Sequence, residues 1–505
     1  MAIFNAKELQ TAVDIGTLGL TNPFMEKRIE LERRILGDAF VPLQDFWNAT
    51  SSMDDNANVA EITRRAHELL HMARARLSEG QSFENSEEKE IYRALAQFAL
   101  YYVCQESFYR YIQSVNPSVL SFEAFEEQVK FYFPRSGSGA FDDVDAARLY
   151  SLFFVIRRAF HFIFRYIFGG SRAVARLRAA VWESVFTSCM ARYYRTMYSR
   201  MDKISTLILG KTGTGKDLVA RAIGVSRYIP YDKKQKDFAA PFADNYFPLN
   251  LTALSPTLIE AELFGYVRGA FTGAQKDTDG FLDHGGPYCT LFLDEIGDVS
   301  ADIQVKLLRV LQSGEYTRVG TRAPQHFEGK IIAATNLNLT ERIEAGHFRE
   351  DLYFRLCSDV IQTPTLSEQI SENPEELTTI VRQLASNIAG ETECEGLTKE
   401  TIEYISTQMP KDYPWPGNIR ELEQCVCNIL VRGQYEPMKA HGDASSGYEQ
   451  IFKSGSITAS ELISIYCTHV YAQTGSYVET AKRLDIDRRT VKSRVDEALL
   501  EKLRG

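Results

Sequence analysis

With 505 residues, 44% of them hydrophobic and 25% charged, the chain has the composition of an ordinary globular protein and is long enough for about three domains. A net charge of −10 excludes a protein coated in nucleic acid along its length, so a DNA contact would need a local basic face. The eight cysteines are scattered without a C-x-x-C pair, and Cys425 and Cys427 stand too close together for half of a usual zinc site, which reads as reduced thiols.

The first ten residues, MAIFNAKELQ, lack the basic start and apolar stretch of a signal peptide, so a cytoplasmic protein is expected. Residues 1–168 read as a helical N-terminal regulatory domain of unknown ligand, with helical patterns over 26–36, 59–77 and 88–115 and polar loops at 48–58 and 135–143. The most apolar helix, 152–168, is broken by Arg157, Arg158, His161 and Arg165 and is no membrane span; Leu152, Ile156, Phe160, Ile163 and Ile167 fall on one of its faces. The aromatic run Tyr101, Tyr102, Phe108, Tyr109 and Tyr111 reads as packed core rather than a ligand pocket. A phosphoacceptor receiver domain is not expected, since neither its strand–helix alternation nor its acidic cluster is present.

From 169 to 366 strands at 205–209, 246–249, 291–293 and 330–334 alternate with helices, the pattern of an α/β domain with a parallel sheet. Residues 367–433 turn helical again, as a small lid would; 434–456 read as a linker and 457–505 as a last helical module. The stretch 207–217, LILGKTGTGKD, is an apolar strand, a glycine-rich turn and a helix start, the arrangement of a phosphate-binding loop. Gly210, Gly213 and Gly215 free the backbone to curl, so that the N–H groups of Lys211, Thr212 and Thr214 and the helix N-terminus can face an anion, and Lys216 adds a mobile positive charge. Asp217 stands where a Ser or Thr hydroxyl commonly meets magnesium.

Downstream, TLFLDEIGD over 290–298 is an apolar strand ending in two acids. Asp294 is placed to hold Mg2+ directly or through water, and Glu295 to act as general base on a water attacking ATP.

These stretches resemble the AAA+ domain of bacterial enhancer-binding proteins, the ATP-dependent activators of sigma-54 RNA polymerase, over residues 169–432. The most specific piece is ELFGYVRGAFTGA, 262–274, with an intact GAFTGA. The resemblance implies a loop tip that contacts sigma-54, formed by Gly269, Ala270, Phe271, Thr272, Gly273 and Ala274; the exposed ring and hydroxyl between two glycines suit a partner better than a core. It also implies that Asn250 engages the catalytic glutamate and that 307–320, LLRVLQSGEYTRVG, relays nucleotide state. Asn336 would sense the γ-phosphate, and Arg349 and Arg355 would reach a neighbouring subunit's ATP in a ring, a hexamer or heptamer. Arg420, in WPGNIREL, would sense nucleotide from the lid of the same subunit. Several positions depart from the family pattern: Asp217 replaces a glutamate and Tyr266 a common histidine, 280–289 is altered, and TLSEQ at 365–369 replaces an arginine-rich start of the lid.

The C-terminal stretch 475–503 reads as helix, turn and helix, with Asp487 capping the second helix and Arg488, Arg489, Lys492 and Arg494 along it as the face for double-stranded DNA. It resembles the Fis-like end of the same family, with Asp485 where the turn commonly has glycine. The implied function is enhancer binding and ATP-driven remodelling of a sigma-54 polymerase complex. The alternatives are a nucleotide-binding DNA regulator, repressor or scaffold, that does not touch sigma-54, and an AAA+ remodeller of some other protein.

Overall fold

The structure is a computed structural model that describes residues 3–42, 56–114, 121–134, 141–253, 255–437, 458–496 and 499–500. It forms two compact units, Met1–Tyr435 and Glu436–Gly505. The linker expected at 434–456 lies, from residue 438 on, outside the described residues, as do most of the two polar loops expected near residues 48 and 135.

The first unit opens with helices α1 (Ala6–Leu20), α2 (Glu26–Leu36), α3 (Ala57–Ser78), α4 (Ser86–Ser114) and α5 (Phe122–Tyr132). Asn5 starts α1 by accepting the Lys7 and Glu8 amides, while Glu8 reaches back to the Asn5 amide at 2.9 Å. Next come α6 (Ala146–Tyr166), α7 (Arg172–Phe186) and α8 (Met190–Arg195); Asp145 caps α6 and Ser171 caps α7.

The α/β part then runs β1 (Thr206–Leu209), α9 (Lys216–Gly224), β2 (Tyr231–Asp232), β3 (Asp237–Phe238), β4 (Tyr246–Asn250), α10 (Pro256–Phe264) and β5 (Thr290–Asp294). It continues with α11 (Ala301–Ser313), β6 (Glu315–Thr317), β7 (Pro324–His326), β8 (Lys330–Thr335), α12 (Leu339–Glu344), α13 (Glu350–Leu356) and β9 (Asp359–Gln362). The main sheet has the order β4-β5-β8-β1-β9 and every pairing in it is parallel. Because side chains alternate along a strand, each strand feeds two cores. Leu207, Leu249, Leu291, Leu293 and Ile331 face a cluster with Ile303 and Leu307 of α11 and Leu352 and Leu356 of α13. Ile208, Phe292, Ile332, Ala334 and Ile361 face the opposite cluster, with Val219 and Ile223 of α9.

That second core does not stop at the sheet. It runs without a break through Phe153, Phe154 and Phe160 of α6 and on to Leu95 and Phe108 of α4 and Ile15 of α1. Leu152, Ile156, Phe160, Ile163 and Ile167 are all buried, and α6 is buried on its other faces too from Leu149 to Phe160, since it packs on α4 and α5 as well as on α9. Two of the guanidiniums buried in this region reach backbone carbonyls. Arg158, fully buried, donates to the Val225 and Arg227 carbonyls at the end of α9. Arg178, equally buried, donates from Nε to Ile167 O and from Nη2 to Gly169 O, both at 2.8 Å. Burial pulls both guanidiniums down, to about 9.

The lid consists of α14 (Leu366–Glu372), α15 (Glu376–Ala389), α16 (Glu391–Gln408) and α17 (Asn418–Arg432) around Leu384, Leu422 and Val426. Its unusual start is well built: Thr365 and Glu368 form a reciprocal cap on α14. The eight cysteines are free thiols, and among the described residues no helix is long and apolar enough to cross a membrane.

In the second unit, helices Ala459–Thr474, Tyr477–Leu484 and Arg488–Arg494 pack on Cys467, Val470, Thr480 and Val491. Asp485 sits at φ 52°, ψ 43°, the left-handed turn that glycine adopts most cheaply. Asp487 accepts the Arg489 amide at 2.7 Å.

Candidate active site

The C-terminal ends of β1, β4 and β5 open onto one cavity of about 470 Å³, the range of a small-ligand site. Its floor is the loop between β1 and α9. Gly213 and Gly215 hold φ of 77° and 83°, which curls the backbone toward the N-terminus of α9. Thr214 Oγ1 donates to Lys211 O at 2.8 Å and pairs with Thr363 Oγ1, just after β9, at 2.7 Å. Lys216 Nζ lies over the loop, donating to Gly210 O at 3.1 Å and Lys211 O at 3.4 Å. Burial pulls its amine down, against Glu295 and Asp294, which favour the charged form.

Asp294, at the tip of β5, pairs in register with Asn250 of β4. Burial raises its carboxyl above the ordinary range, and the neighbouring Glu295 adds to the rise. Glu295 itself takes φ 55°, a conformation uncommon outside glycine and typical of residues held for a purpose. Its Oε2 accepts the Asn336 amide at 3.4 Å, and Asn336 Nδ2 donates to Thr212 Oγ1 at 2.9 Å, so the end of β8 ties the acidic pair to the loop. Asn250, Asp294, Glu295, Asp217 and Arg420 all line the cavity. Asn250 Oδ1 accepts from both the amide and the hydroxyl of Thr252 at 2.9 Å rather than meeting Glu295.

Arg349 and Arg355 are elsewhere. Arg349, exposed at the start of α13, is paired with Asp351 at 2.7 Å; Arg355 is exposed near the end of the same helix, beside Ser199 and Ser358. Neither lines the cavity.

Several residues that shape the site escaped the sequence reading. Asn418, buried at φ 52°, donates to Thr212 O at 2.9 Å and accepts the Leu366 amide at 2.9 Å. Ile419 N donates to Gly213 O at 3.0 Å, so the lid grips the phosphate loop by its backbone. Tyr166 of α6 and Val174 and Leu177 of α7 form an apolar side of the cavity. Asn418 lies inside the WPGNIREL stretch and its tolerance of positive φ was a usable signal; the others arrive by tertiary folding alone.

The GAFTGA stretch is a surface loop. Gly269 and Gly273 take φ of 83° and 106°, Gly269 N donates to Ala274 O at 2.9 Å, and Arg268 N donates to Asp277 at 2.7 Å. Phe271 is 44% exposed, with its ring edge-on to Tyr266 at 4.9 Å, and Thr272 is exposed beside it, while Ala270 is half-buried and Ala274 buried. In the second unit Arg488, Arg489 and Lys492 are exposed, whereas Arg494 is half-buried and donates to Ser460 Oγ.

Residues 185–362 match the family profile of the Sigma-54 interaction domain. Among curated proteins, the DNA-binding transcriptional regulator NtrC of Rhizobium meliloti (strain 1021) is 41% identical over 248 residues, which are 48% of this chain and 46% of that protein. The Nif-specific regulatory protein of Azotobacter vinelandii is 41% identical over 44% of this chain and 38% of its own length. The Sigma54-dependent transcriptional regulator SfnR of Pseudomonas fluorescens (strain Pf0-1) is 41% identical over 45% of this chain and 56% of its own. The chain thus spans about half the length of the curated relatives it matches. A crystal structure of NtrX from Brucella abortus in complex with ATP aligns with 76% of this chain and 81% of that one, at 22% identity and a TM-score of 0.40. With a phosphate loop and an acidic strand tip on one parallel sheet and an exposed GAFTGA loop in the same stretch, residues 185–362 form a domain that matches the Sigma-54 interaction domain.

Proposed function

We propose that this chain is an ATP-dependent transcriptional activator that binds DNA upstream of promoters and uses ATP hydrolysis to remodel closed complexes of sigma-54 RNA polymerase. The observation that supports the reading is the pairing, within one stretch that matches the sigma-54 interaction domain, of the cavity around Lys216, Asp294 and Glu295, with Asn336 bonded to Glu295 and Thr212, and an outward GAFTGA tip.

In this reading Lys211 to Asp217 and Arg420 bind the triphosphate, the loop through its amides and Lys216 and Arg420 through charge. Asp294, with the hard oxygen donors that Mg2+ prefers, would hold that ion, which when bound neutralises phosphate charge. Glu295 accepts a proton from the attacking water, and Asn336 orients Glu295 and feels the γ-phosphate through Thr212. Asn250 shifts from Thr252 to Glu295 in another nucleotide state. Arg349 and Arg355, away from their own cavity, complete the site of a neighbouring subunit in a ring of six or seven. The helix Arg488–Arg494 is the DNA-reading element, with Arg488, Arg489 and Lys492 toward the duplex and Arg494 steadying the module. The protein works in the cytoplasm, with residues 1–168 as its regulatory part.

The test is capture of sigma-54 by the full chain with ADP and an ATP transition-state analogue. Retention is expected with the analogue alone and is lost in Thr272→Ala, which keeps its ATPase because the tip lies away from the phosphates. Normal retention by Thr272→Ala, or equal loss of ATPase and retention, would overturn the assignment of the loop.

A further inference from the structure

A recess of about 610 Å³ lies at the end of the sheet opposite the nucleotide cavity, around the N-terminal ends of β1, β8 and β9. Its rim carries Lys203, His326 and Arg355 beside Ser199 and Ser358. The carboxylates there are Asp202, already ion-paired with the buried Arg227 at 2.5 Å, and the exposed Glu328. The segment that supplies Ser199 and Lys203 is basic from α8 onward: Arg192, Arg195, Arg200 and Lys203 are all exposed, and Asp202 is its one acid. None of the four cations is paired with a carboxylate among the described residues. Exposed cations of α3 and α5 do pair along their own helices, Arg64 with Glu61 and Glu68, and Lys130 with Glu127. Four like charges within twelve residues repel one another, so a run left bare in a chain of net charge −10 suits an acidic partner from outside.

The lid offers the matching charge. Along α16, Glu391, Glu393, Glu395, Glu400 and Glu403 are exposed against one cation, Lys399. Glu391 accepts from Ser386 Oγ at 2.8 Å, and none of the five is ion-paired among the described residues. The helix N-terminus accounts for Glu391 and Glu393, but Glu400 and Glu403 lie in the second half, where the dipole gives them nothing. α16 packs on α15 and on α17, the helix whose Asn418 and Ile419 hold the phosphate loop, so it stands one layer out from the nucleotide cavity. The reading of Arg355 as an arginine that enters a neighbouring copy's cavity, on which this inference rests, brings the two surfaces together. Lys203 and Arg355 line one recess, so an Arg355 that reaches that cavity carries the basic segment toward the neighbour's lid. We propose that Arg192, Arg195, Arg200 and Lys203 form one half of a contact between copies of this chain, and that the acidic face of α16 in the next copy is the other half. Exposed ion pairs are individually weak and screened by salt, so the contact orients and steers assembly and makes it salt-sensitive.

The experiment follows assembly of the full chain by sedimentation velocity with an ATP transition-state analogue, from about 50 to about 500 mM salt. Two charge reversals are compared with the parent: Arg192→Glu, Arg195→Glu and Arg200→Glu in one chain, and Glu393→Lys, Glu395→Lys and Glu400→Lys in another. Each should assemble about 10-fold more weakly at low salt, with the difference shrinking as salt rises. Mixing the two should restore contacts between unlike chains, and a chain carrying both reversals should regain assembly. That recovery decides the matter, because a variant that merely misfolds cannot be repaired by a second reversal. Parental assembly in either reversed chain, or a further loss in the doubly reversed one, would overturn the contact and leave the arginine reading standing. A parent that does not assemble at all would overturn both. Loss of duplex DNA binding by the arginine-reversed chain, with its assembly unchanged, would make the basic segment a nucleic-acid surface and overturn the pairing with α16.

Discussion

Asn418 of the lid donates its side-chain amide to the backbone carbonyl of Thr212 in the phosphate loop at 2.9 Å, across 206 positions of sequence. The same side chain accepts the Leu366 amide that starts the lid, so one buried residue fastens both ends of the lid to the nucleotide floor. Its positive φ separates backbone from side-chain effects. Asn418→Gly keeps the conformation and loses only the amide. We expect ATP affinity to fall about 10-fold, one to two kcal/mol for two buried hydrogen bonds, with secondary structure unchanged; nucleotide titration and circular dichroism check both halves.

Glu295→Gln should bind ATP nearly as the parent does and hydrolyse it at least about 100-fold more slowly, because an amide cannot take a proton from water. Lys216→Ala should instead lose binding. Phosphate release and nucleotide titration distinguish the two, and parental turnover by the Gln variant would falsify the general-base role.

The exposed, off-cavity positions of Arg349 and Arg355 give a mixing experiment. Protomers carrying Arg349→Ala and Arg355→Ala, inactive alone, should regain part of the ATPase when mixed with Lys216→Ala protomers, since intact loops and intact arginines then meet across an interface. Activity that stays at zero at every ratio would mean that each site is complete within its own chain.

Lys330, at the start of β8, is buried with Nζ donating to Ile204 O at 2.7 Å, and burial pulls its amine down to about 8. An amine depressed in the folded state is still protonated in the unfolded chain between about 8 and its ordinary value, so the unfolded state binds more protons there and stability rises with pH. Below about 8 the folded protein bears the cost of a buried charge. Lys330→Met should therefore flatten the rise in denaturation midpoint between pH 8 and 10 and stabilise the protein at pH 7, by roughly 3 kcal/mol at most. A parent and variant with parallel pH profiles would contradict this.

The residues whose positions could be read from sequence are those whose chemistry is local. LILGKTGTGKD needs its glycines for a turn made within a few residues, and TLFLDEIGD spends acids at a strand tip; both lie where their patterns put them. Asp485 in its left-handed turn and the cap by Asp487 were legible for the same reason. The contributions of Tyr166, Leu177 and Thr363 were not, because each reaches the site by packing between elements far apart in sequence, and no periodicity encodes which helix meets which strand.

The apolar cluster that runs unbroken from α1 through α6 to Phe292 and Ile332 bears on how such a chain could be rearranged in evolution. A sensor joined to a motor by a flexible tether can be exchanged for another by recombination at the tether. Here a break at residue 168 would strip α6 from α9, the helix behind the phosphate loop, and from α7, and the severed α/β part would present a greasy wall to water. The front half of this protein is bound to change together with its motor, one compensating substitution at a time, rather than to be traded as a cassette.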